Sequence, residues 1–582
     1  MVAITPAQAT PSPLAAAFRS CRTALVTVAL FSGVINLLTL TGPLFMLQIY
    51  DRVLASKSVP TLLALLILVG MLFIFFGLFE VIRSRMLVRV ARQIDKRVNA
   101  ALFAAVIDHT VKRSPHAQAQ PLRDLEMMRQ YLSGTSLGTL FDLPWTPLCL
   151  GVIFLLHPYL GLFALCGIAV LVLLVFLNDW LSRALFRQSS ESAVVAHRVA
   201  EESRRNAAAI HAMGMMPAMR GRWLAVYNRA LEDHVTASDR NGALFAFAKM
   251  IRLALQSAIL ALGAYLAIQQ EISPGTIVAA SIILTRAAAP IEQGISQWRG
   301  FMQFQAAARR LDALFADLGQ RSAKMALPAP KGRLKVEGLT VVAPGRGKAG
   351  TVKTILRNIH FALEPGQALG IIGPTGAGKS TLARALVNVW EPAAGAVSMD
   401  GAPYDQWDAG TLGAGLGYLP QEVELFDGAF DENIARFDAG APPEAVIDAA
   451  RLAGVHDLIL SFPEGYKTRI GEAGVMLSGG QRQRIGLARA LYGDPVLVVM
   501  DEPNANLDMA GEAALAHAMR VLKQKGVTVV VVAHRPSAIA AADLLIYLKD
   551  GRQVEFGPKD EVLRKVSEIA DTGRDIAARR LA

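Results

Sequence analysis

Residues 368–386 read ALGIIGPTGAGKSTLARAL, an apolar stretch followed by a glycine-rich loop and a helix-forming run. The loop has the P-loop pattern G-x-x-x-x-G-K-S, in the strand-to-helix context that the motif requires. Its backbone N–H groups and the start of the following helix suit phosphate oxygens. The stretch therefore predicts a nucleotide site in an α/β domain. The candidate residues are Gly373, Pro374, Thr375, Gly376, Ala377, Gly378, Lys379, Ser380 and Thr381.

Two residues of this loop have distinct expected tasks. Lys379 is expected to reach the β- and γ-phosphates, and the Ser380 hydroxyl to ligate Mg²⁺. Taken alone, the loop indicates only that a nucleotide binds. The reaction and what it drives must be inferred from other segments.

Residues 496–502 read VLVVMDE, which predicts a buried strand that ends in two carboxylates. Asp501 is expected to hold Mg²⁺ through water, and Glu502 to polarise the attacking water. An acidic cap at a helix N-terminus is the alternative interpretation. The P-loop upstream favours the catalytic one.

Residues 477–491 read LSGGQRQRIGLARAL, in which Ser478, Gly479, Gly480 and Gln481 open a predicted helix. Serine and glycine at a helix start leave backbone donors accessible, so this is a second predicted anion site. The chain already has its own P-loop. A second phosphate site therefore implies that another subunit supplies the nucleotide.

This segment resembles the signature motif of ABC transporters, in which two ATPase domains enclose two ATP molecules head to tail. Other segments extend the resemblance. Gln421 in GYLPQEVELF resembles the Q-loop residue that meets Mg²⁺ and the membrane domain, and Asp508 in DEPNANLD resembles the D-loop. His534 in VVVVAHRPS resembles the switch histidine at the γ-phosphate. A lone histidine after a strand is more often a packing residue, but its position favours function.

The chain departs from the family pattern at the adenine base. Many relatives place an aromatic residue upstream of the P-loop to stack on adenine, whereas this chain has Val341, Val342 and Ala343 there. The resemblance implies ATP as the nucleotide. The residues themselves do not select adenine.

The N-terminal half has a different composition. Hydrophobic residues make up 53% of the chain and the mean hydropathy is +0.37, and this excess is concentrated before residue 330. A helix that spans a bilayer needs about 20 mostly apolar residues. Six predicted spans satisfy this length, at about 24–47, 61–82, 140–156, 159–178, 250–269 and 274–293.

Basic residues orient these spans. The segments 83–139 and 180–249 contain ten Lys or Arg residues each, while the other connections are short and carry few charges. The positive-inside rule places both long segments and both termini in the cytoplasm. The same rule accounts for the net charge of +11, so nucleic-acid binding is not expected. The long segments are helical in pattern.

The three cysteines Cys21, Cys149 and Cys166 have no ligand or disulfide spacing and are expected to be buried. The predicted fold class is a six-helix, all-α transmembrane domain of the type I ABC exporter kind, followed by an α/β P-loop ABC ATPase domain. The predicted parts are a cytoplasmic segment at 1–20, the transmembrane domain at 21–316, a linker at 317–331, the ATPase domain at 332–565 and a tail at 566–582.

One membrane domain and one ATPase domain make a half-transporter, so a homodimer is expected. Its membrane half resembles the inner-membrane ATPase of type I secretion systems, in the protease-secretion branch. The segments that carry the resemblance are PLFMLQIYDRVLASKSVPTL (43–62), FDLPWTPL (141–148), MGMMPAMRGRW (213–223) and APIEQGISQWRGF (289–301). DEPNANLD, with its asparagine at position 506, points the same way.

The resemblance implies a specific function and specific partners. ATP hydrolysis with Mg²⁺ would drive an unfolded protein with a C-terminal secretion signal out of the cell, through a periplasmic adaptor and an outer-membrane channel. The chain would lie in the bacterial inner membrane. The alternatives are an ABC exporter of lipid, peptide or small molecules and, in a different class, a non-pumping ABC ATPase, against which the six spans argue.

Charged residues inside or at the ends of spans are the functional candidates of the membrane half. Arg286 lies about twelve residues into the sixth span and is hypothesised to line the pathway. Asp51 and Arg52 lie at the outer end of the first span. They either meet the adaptor or extend to the membrane interface.

Overall fold

The computed structural model describes residues 12–113, 120–318, 327–343, 353–471, 474, 477–533, 535 and 539–568. The chain divides into two compact units. The first, called the helical unit, comprises Met1–Ile107 and Gln118–Gln320. The second, called the ATPase unit, comprises Asp108–Ala117 and Arg321–Ala582.

Six helices of the described residues are long and apolar enough to cross a membrane, which confirms the predicted number. These spans are Arg22–Ser56, Val59–Val111, Ser136–Leu156, Pro158–Arg205, Met216–Ile268 and Pro274–Ser296. Several run far beyond the bilayer thickness of about 20 residues. Much of the two long basic segments continues these helices, as the sequence pattern predicts, while Gln120–Ser133 and Ala207–Ala212 form separate helices.

The helical unit contains α1 to α13, except for the last six residues of α5. Their bounds are α1 Pro13–Ser20, α2 Arg22–Thr39, α3 Thr41–Gln48, α4 Leu54–Ser56, α5 Val59–Arg113, α6 Gln120–Ser133, α7 Thr135–Asp142, α8 Thr146–Leu156, α9 Pro158–Arg205, α10 Ala207–Ala212, α11 Met216–Ile268, α12 Pro274–Ser296 and α13 Trp298–Leu318. A π-helical turn at Ile49–Val53 joins α3 to α4, and a 3₁₀ turn at Leu143–Trp145 joins α7 to α8. Only His157 separates α8 from α9.

Helix α12 lies at the centre of the membrane-spanning helices. It packs against α3, α8, α9 and α11, and its buried side chains are mostly alanine, glycine and isoleucine. Small residues let helices approach closely where lipid provides no hydrophobic drive for their association. At Gly33 in α2 an added Cβ would overlap the Trp145 indole, and at Gly167 in α9 it would meet Leu255 of α11.

A bidentate ion pair joins the peripheral helices of this unit. The Arg310 guanidinium on α13 donates to both carboxylate oxygens of Asp124 on α6, at 2.7 and 2.8 Å. Asp124 is almost fully buried, and a buried carboxylate without its partner is strongly destabilising. The pair therefore holds α13 against α6.

The ATPase unit is built on a ten-stranded sheet in the order β5-β4-β1-β2-β10-β9-β3-β8-β7-β6. The bounds are β1 Leu334–Val342, β2 Thr354–Leu363, β3 Ala368–Ile372, β4 Ala394–Met399, β5 Ala402–Pro403, β6 Leu416–Leu419, β7 Leu497–Asp501, β8 Thr528–Val532, β9 Leu544–Lys549 and β10 Arg552–Pro558. The neighbours β3, β8, β7 and β6 run parallel, while β1 pairs antiparallel with β2 and β4.

The four parallel strands explain where the site forms. Nearly all residues of β3, β7 and β8 are buried, as expected for parallel strands with helices on both faces. Their carboxyl ends meet at one edge, where open α/β sheets bind ligands. The helices of this unit are α14 Lys379–Leu386, α15 Ala409–Ala414, α16 Phe430–Ile434, α17 Pro443–Leu452, α18 His456–Leu460, α19 Gly479–Leu491 and α20 Met509–Gln524.

Three details differ from the sequence-based expectations. The linker expected at 317–331 begins inside a helix, because α13 continues to Leu318. The first span is not one regular helix, since it is interrupted at Leu40 and by the π-turn. Cys166 is exposed, whereas Cys21 and Cys149 are buried, and all three are free thiols. An isolated cysteine in an apolar helix has no pattern from which its orientation could be read.

The contact at Gly33 predicts a size limit in the first span. Gly33→Ala is expected to destabilise the helical unit by about 1–3 kcal/mol, because the added methyl group overlaps the Trp145 ring. Gly42→Ala is the matched control in the same span, since its Cβ would meet nothing within 4 Å. Thermal unfolding of both full-length variants in detergent measures the effect. Equal melting temperatures for the two variants would contradict the prediction.

Candidate nucleotide site and membrane cavity

The P-loop follows β3 and turns into α14 at Lys379. The Lys379 Nζ donates to the carbonyl oxygens of Gly373 at 2.8 Å and Pro374 at 2.9 Å, so the lysine folds over its own loop. Gly378 caps α14 with a φ of +97°, and a Cβ there would lie 2.6 Å from a Leu356 methyl carbon. Glycine is therefore required at this position. Burial lowers the pKa of Lys379, although the Glu502 and Asp501 charges oppose this.

A potential metal position lies between the P-loop and β7. The Ser380 Oγ donates to Asp501 Oδ1 at 3.1 Å. Asp501 is 1% exposed, and its Oδ2 has no hydrogen-bond partner among the described residues. A hydroxyl next to a buried carboxylate oxygen without a partner is a donor set of the kind that Mg²⁺ prefers. The residues present therefore fit a magnesium ion.

The electrostatics of Asp501 reflect its burial. Burial raises the pKa of its carboxyl above the ordinary value, and the charge of Glu502 acts in the same direction. The hydrogen bond from Ser380 and the charges of Arg384 and Lys379 oppose this rise. A cation at this position would favour the ionised form and relieve the cost of burying it.

Glu502 follows directly after β7 in an unusual backbone conformation. Its φ is +51°, which is uncommon for a residue with a side chain and occurs mostly at functional sites. Its backbone N–H donates to the Val532 carbonyl of β8 at 3.0 Å. The Gln421 Nε2, two residues beyond β6, donates to Glu502 Oε2 at 3.2 Å. Two candidates that are 81 residues apart in sequence are thus in contact.

The signature segment opens α19 with a reciprocal cap. The Gln481 N–H donates to Ser478 Oγ at 3.2 Å, and the Ser478 N–H donates to Gln481 Oε1 at 2.9 Å. A Cβ at Gly480 would lie 2.6 Å from the Asn506 carbonyl, so glycine permits the close approach of these two segments. The backbone at the helix start is accessible from outside the unit, because Ser478 is exposed.

Asp508 caps the next helix of the unit. Its Oδ1 accepts from the Gly511 N–H at 2.8 Å, and its Oδ2 lies 3.4 Å from an Arg484 nitrogen on α19. It is exposed and is not among the residues that meet at the Asp501 carboxylate. The candidates therefore form two groups. One group surrounds an edge of the sheet and consists of the P-loop, Asp501, Glu502 and Gln421. The other belongs to the start of α19 and the loop beside it and consists of Ser478, Gly479, Gly480, Gln481 and Asp508.

Sequence reasoning missed Gln483, which connects these groups. Gln483 is 2% exposed, and its Nε2 donates to the carbonyls of Glu502 at 3.2 Å and Pro503 at 2.7 Å. Its Oε1 accepts from the Asn506 N–H at 3.2 Å. The only sequence feature that could have indicated it is a glutamine close to the buried residues Ile485, Gly486 and Leu487 of α19. Its partners could not be read from that signal.

One residue of the predicted site lies outside the described residues. This is His534. Of the residues expected near the adenine, Val341 is buried in the sheet, while Val342 and Ala343 are partly exposed. Thr381 lies in the first turn of α14 next to Ser380.

The helical unit contains a polar cavity of about 530 Å³. It is lined by residues of α2, α5, α7 and α12, among them Asn36, Glu80, Arg83, Asp142 and Arg286. Arg286 is exposed, and no hydrogen bond or ion pair of its side chain is found among the described residues. The hypothesis that Arg286 faces an internal space is compatible with this position.

Three acceptors hold Arg83 at the wall of this cavity. Its guanidinium donates to Asp142 at 2.7 Å, Glu80 at 2.8 Å and Ser32 at 3.1 Å. Asn36 donates to the same Asp142 oxygen at 2.9 Å. The Oε2 atom of Glu80 is buried and has no partner in the part of the chain that the structure describes. Charged groups near a bilayer core are expensive unless they are paired or line an aqueous space.

A membrane-spanning unit and a P-loop ATPase with a signature helix, on one chain, define the class of ABC transporters. Two family models agree. The model for the ABC transporter transmembrane region matches residues 25–287, and the ABC transporter model matches residues 356–505. The chain binds nucleotide at its ATPase unit and is a multi-pass membrane protein.

The chain belongs to the type I secretion system ATP-binding proteins within that family. It is 44% identical over 98% of its length to the type I secretion system ATP-binding protein PrsD of Rhizobium meliloti, 97% of which is covered. It is 31% identical over 92% of its length to the leukotoxin translocation ATP-binding protein LktB of Mannheimia haemolytica, 75% of which is covered. ATP hydrolysis coupled to transport follows from this membership.

The fold is that of a solved exporter. An ATP-bound bacterial Atm1-family ABC exporter superimposes with a TM-score of 0.81, covering 97% of this chain and 99% of the exporter. The sequence identity is 23%. The match confirms the predicted architecture of six helices followed by an ATPase domain.

Asp501 generates a prediction about metal affinity and pH. Asp501→Asn is expected to raise the Mg²⁺ concentration for half-maximal ATP hydrolysis by about 10- to 100-fold, because the anionic oxygen is lost. In the unmodified protein, Mg²⁺ affinity is expected to fall as the pH decreases through the raised pKa of Asp501, since protonation removes the same charge. The Asn variant should lack this component.

Magnesium titrations of ATP hydrolysis at several pH values measure both effects. Asp494→Asn, an exposed surface residue, is the control. An unchanged Mg²⁺ midpoint in Asp501→Asn would show that this carboxylate does not serve the metal.

Proposed function

We propose that this protein is the inner-membrane ATPase of a type I secretion system, which exports an unfolded polypeptide. The observation that carries the proposal is the similarity to PrsD, which extends through both units and covers almost all of each chain. The name of LktB, a leukotoxin translocation protein, supports a protein cargo. Protein export fits a polar pathway better than an apolar one.

The ATPase residues have the following proposed roles. Lys379 and the P-loop backbone, with Thr381 behind it, bind the phosphates. Glu502 polarises the attacking water, and Gln421 orients its carboxylate through the 3.2 Å hydrogen bond. His534 contacts the γ-phosphate. Ser380, Asp501 and Gln421 hold Mg²⁺, which when bound neutralises phosphate charge.

The proposed active form is a homodimer with shared ATP sites. Ser478, Gly479, Gly480 and Gln481 begin a helix whose accessible backbone donors suit phosphate, and this chain's own Lys379 lies in a different group of residues. A second copy would bring its P-loop to this helix start, and Asp508 would lie beside the shared nucleotide. Each dimer would then contain two composite sites.

The proposed placement has both termini and the ATPase unit in the cytoplasm and the short connections at residues 57–58, 157 and 269–273 outside it. The support is the basic charge of the long helical extensions. The domain limits proposed are 1–20, 21–318, 319–331, 332–565 and 566–582, with the transmembrane domain extended to the end of α13 at Leu318. A periplasmic adaptor and an outer-membrane channel would complete the route across both membranes.

The polar cavity supports a polypeptide cargo. Arg286 offers donors, and the Oε2 of Glu80 is an acceptor without a partner among the described residues. A main chain has both N–H donors and carbonyl acceptors and could satisfy both kinds of group. The acyl chain of a lipid could satisfy neither. We therefore propose that Arg286 lies on the transport pathway.

The dimer proposal is tested by distributing two defects between two chains. With Lys379→Ala on one chain and Ser478→Arg on its partner, both defects fall in one composite site and the second site remains intact. With both substitutions on one chain and none on the other, each site carries one defect. Purified mixed dimers of the first kind are expected to hydrolyse ATP at least about tenfold faster than the second kind. The reverse order would show that each chain completes its own site.

The cargo proposal is tested by affinity capture from native membranes. The bait is the full chain with Glu502→Gln, which is expected to retain ATP and stay assembled, and Lys379→Ala is the matched control with weakened nucleotide binding. Mass spectrometry is expected to identify an adaptor, an outer-membrane channel and a secreted protein with the Glu502→Gln bait. Deletion of the chain should remove that protein from the medium. Export of a lipid or small molecule, with no secreted protein affected, would contradict the proposal.

A further inference from the structure

The first and sixth spans touch at the end of the helical unit that carries the short connections. There the first span leaves α-helical geometry in the π-turn Ile49–Val53, and Lys57 ends it with a φ of +51°. A π-turn inserts an extra residue into a helix and often marks a functional position. Asp51 lies in the middle of this π-turn.

Asp51 binds the beginning of α12. Its Oδ1 accepts from the Gly275 backbone N–H at 3.0 Å, and its Oδ2 accepts from the Ser273 hydroxyl. Ser273 also caps α12 itself by accepting from the Thr276 N–H at 3.3 Å. A carboxylate at a helix N-terminus is favoured by the unsatisfied N–H groups and the helix dipole. The first span therefore provides a charged second cap for the sixth.

The backbones of the two spans also approach closely at this point. A Cβ at Gly275 would lie 2.8 Å from the Leu47 carbonyl oxygen, which cannot move as a flexible side chain could. Gly275 is therefore the residue that allows the first span to close on α12. The connection before α12 makes a second contact, because Glu271 Oε2 lies 3.1 Å from His157 Nε2 in the turn between α8 and α9.

The first and sixth spans are thus joined at this end, and a cavity of about 530 Å³ lies farther along the helical unit. The polar cavity begins at Thr39 and Asn36 on the same first span. Asp51 lies twelve residues farther along, a helical rise of roughly 18 Å from Thr39. A cargo that occupied the cavity and left at this end would have to separate α3 from α12. The bonds of Asp51 oppose that separation.

We propose that Asp51, Ser273 and Gly275 form an exit latch, which is closed in this conformation and must open in each ATP-driven cycle. The proposal rests on the ATP-driven export stated above, but it does not depend on which cargo is carried. Asp51 is exposed, so its bonds are formed and broken at the surface rather than inside a packed core. Such bonds are modest in strength, as a contact that must reverse in every cycle requires. A permanent structural cap would instead persist in every state.

The latch can be observed by a spin-label distance that leaves its residues unchanged. Lys57 and Gln270 are exposed and lie at the ends of the two contacting segments. Lys57→Cys and Gln270→Cys would be labelled on one chain of a mixed dimer, with Cys21, Cys149 and Cys166 replaced by alanine. Glu502→Gln on both chains would hold the ATP-bound state. A pair at Leu155 and Tyr159, both exposed and on either side of the α8–α9 turn, is the control.

Addition of Mg²⁺ and ATP is expected to shift the 57–270 distance to a longer population and leave the 155–159 distance unchanged. Asp51→Ala is expected to raise the fraction of the longer population without ATP, by roughly tenfold in the open-to-closed ratio. Arg52→Ala, the adjacent charge without these bonds, should have no such effect.

Each result decides the proposal. An unchanged 57–270 distance in the ATP-bound state would overturn the latch, and so would equal open fractions in Asp51→Ala and Arg52→Ala. Because the measurement uses no cargo, it is independent of the cargo proposal. ATP-driven opening in a protein that secretes no polypeptide would retain the latch and reject the secretion function.

Discussion

The carboxylate of Asp501 is buried at the end of a central parallel strand with one oxygen bonded to Ser380 and the other without a partner among the described residues. A charge in that position is unfavourable unless a cation or further donors approach it. The arrangement leaves a carboxylate oxygen at this edge of the sheet that fits a cation beside the nucleotide loop. It also joins the P-loop to β7, so two segments more than a hundred residues apart form one site.

The same edge is connected to α19 by hydrogen bonds from one side chain to three backbone groups. The Gln483 side chain hydrogen-bonds to the carbonyls of Glu502 and Pro503 and to the N–H of Asn506, so α19 cannot shift without disturbing the loop that contains Glu502. Glu502 itself lies in a left-handed conformation that only the surrounding structure can maintain. In a dimer with shared sites, a phosphate at Ser478 would act on a helix that is rigidly tied to Glu502. This gives a physical route by which the two ATP sites could influence each other.

The helical unit meets a different constraint, because polar groups must be satisfied without bulk water. Arg83 is neutralised by acceptors on three helices, while Arg286 and Glu80 retain unused bonding capacity toward the cavity. Glycines such as Gly33 and Gly275 allow the helices to approach until side-chain rings or backbone atoms touch. A polar interior and a closely packed end are thus combined in one bundle.

The sequence by itself determined the six spans, the ATPase domain and its P-loop between a strand and a helix, because hydropathy and the P-loop pattern are local properties. It did not reveal Gln483, the π-turn at Asp51, the partners of Arg83 or the exposure of Cys166. Those features depend on which residues distant in the chain come together, and on the helix rotation that decides which side chains face one another. A carboxylate next to an apolar run reads as a membrane-interface residue, and only the approach of Gly275 to Leu47 makes Asp51 the cap of another helix. Local features such as hydropathy and the P-loop follow from neighbouring residues, whereas contacts between spans depend on packing that no short segment determines.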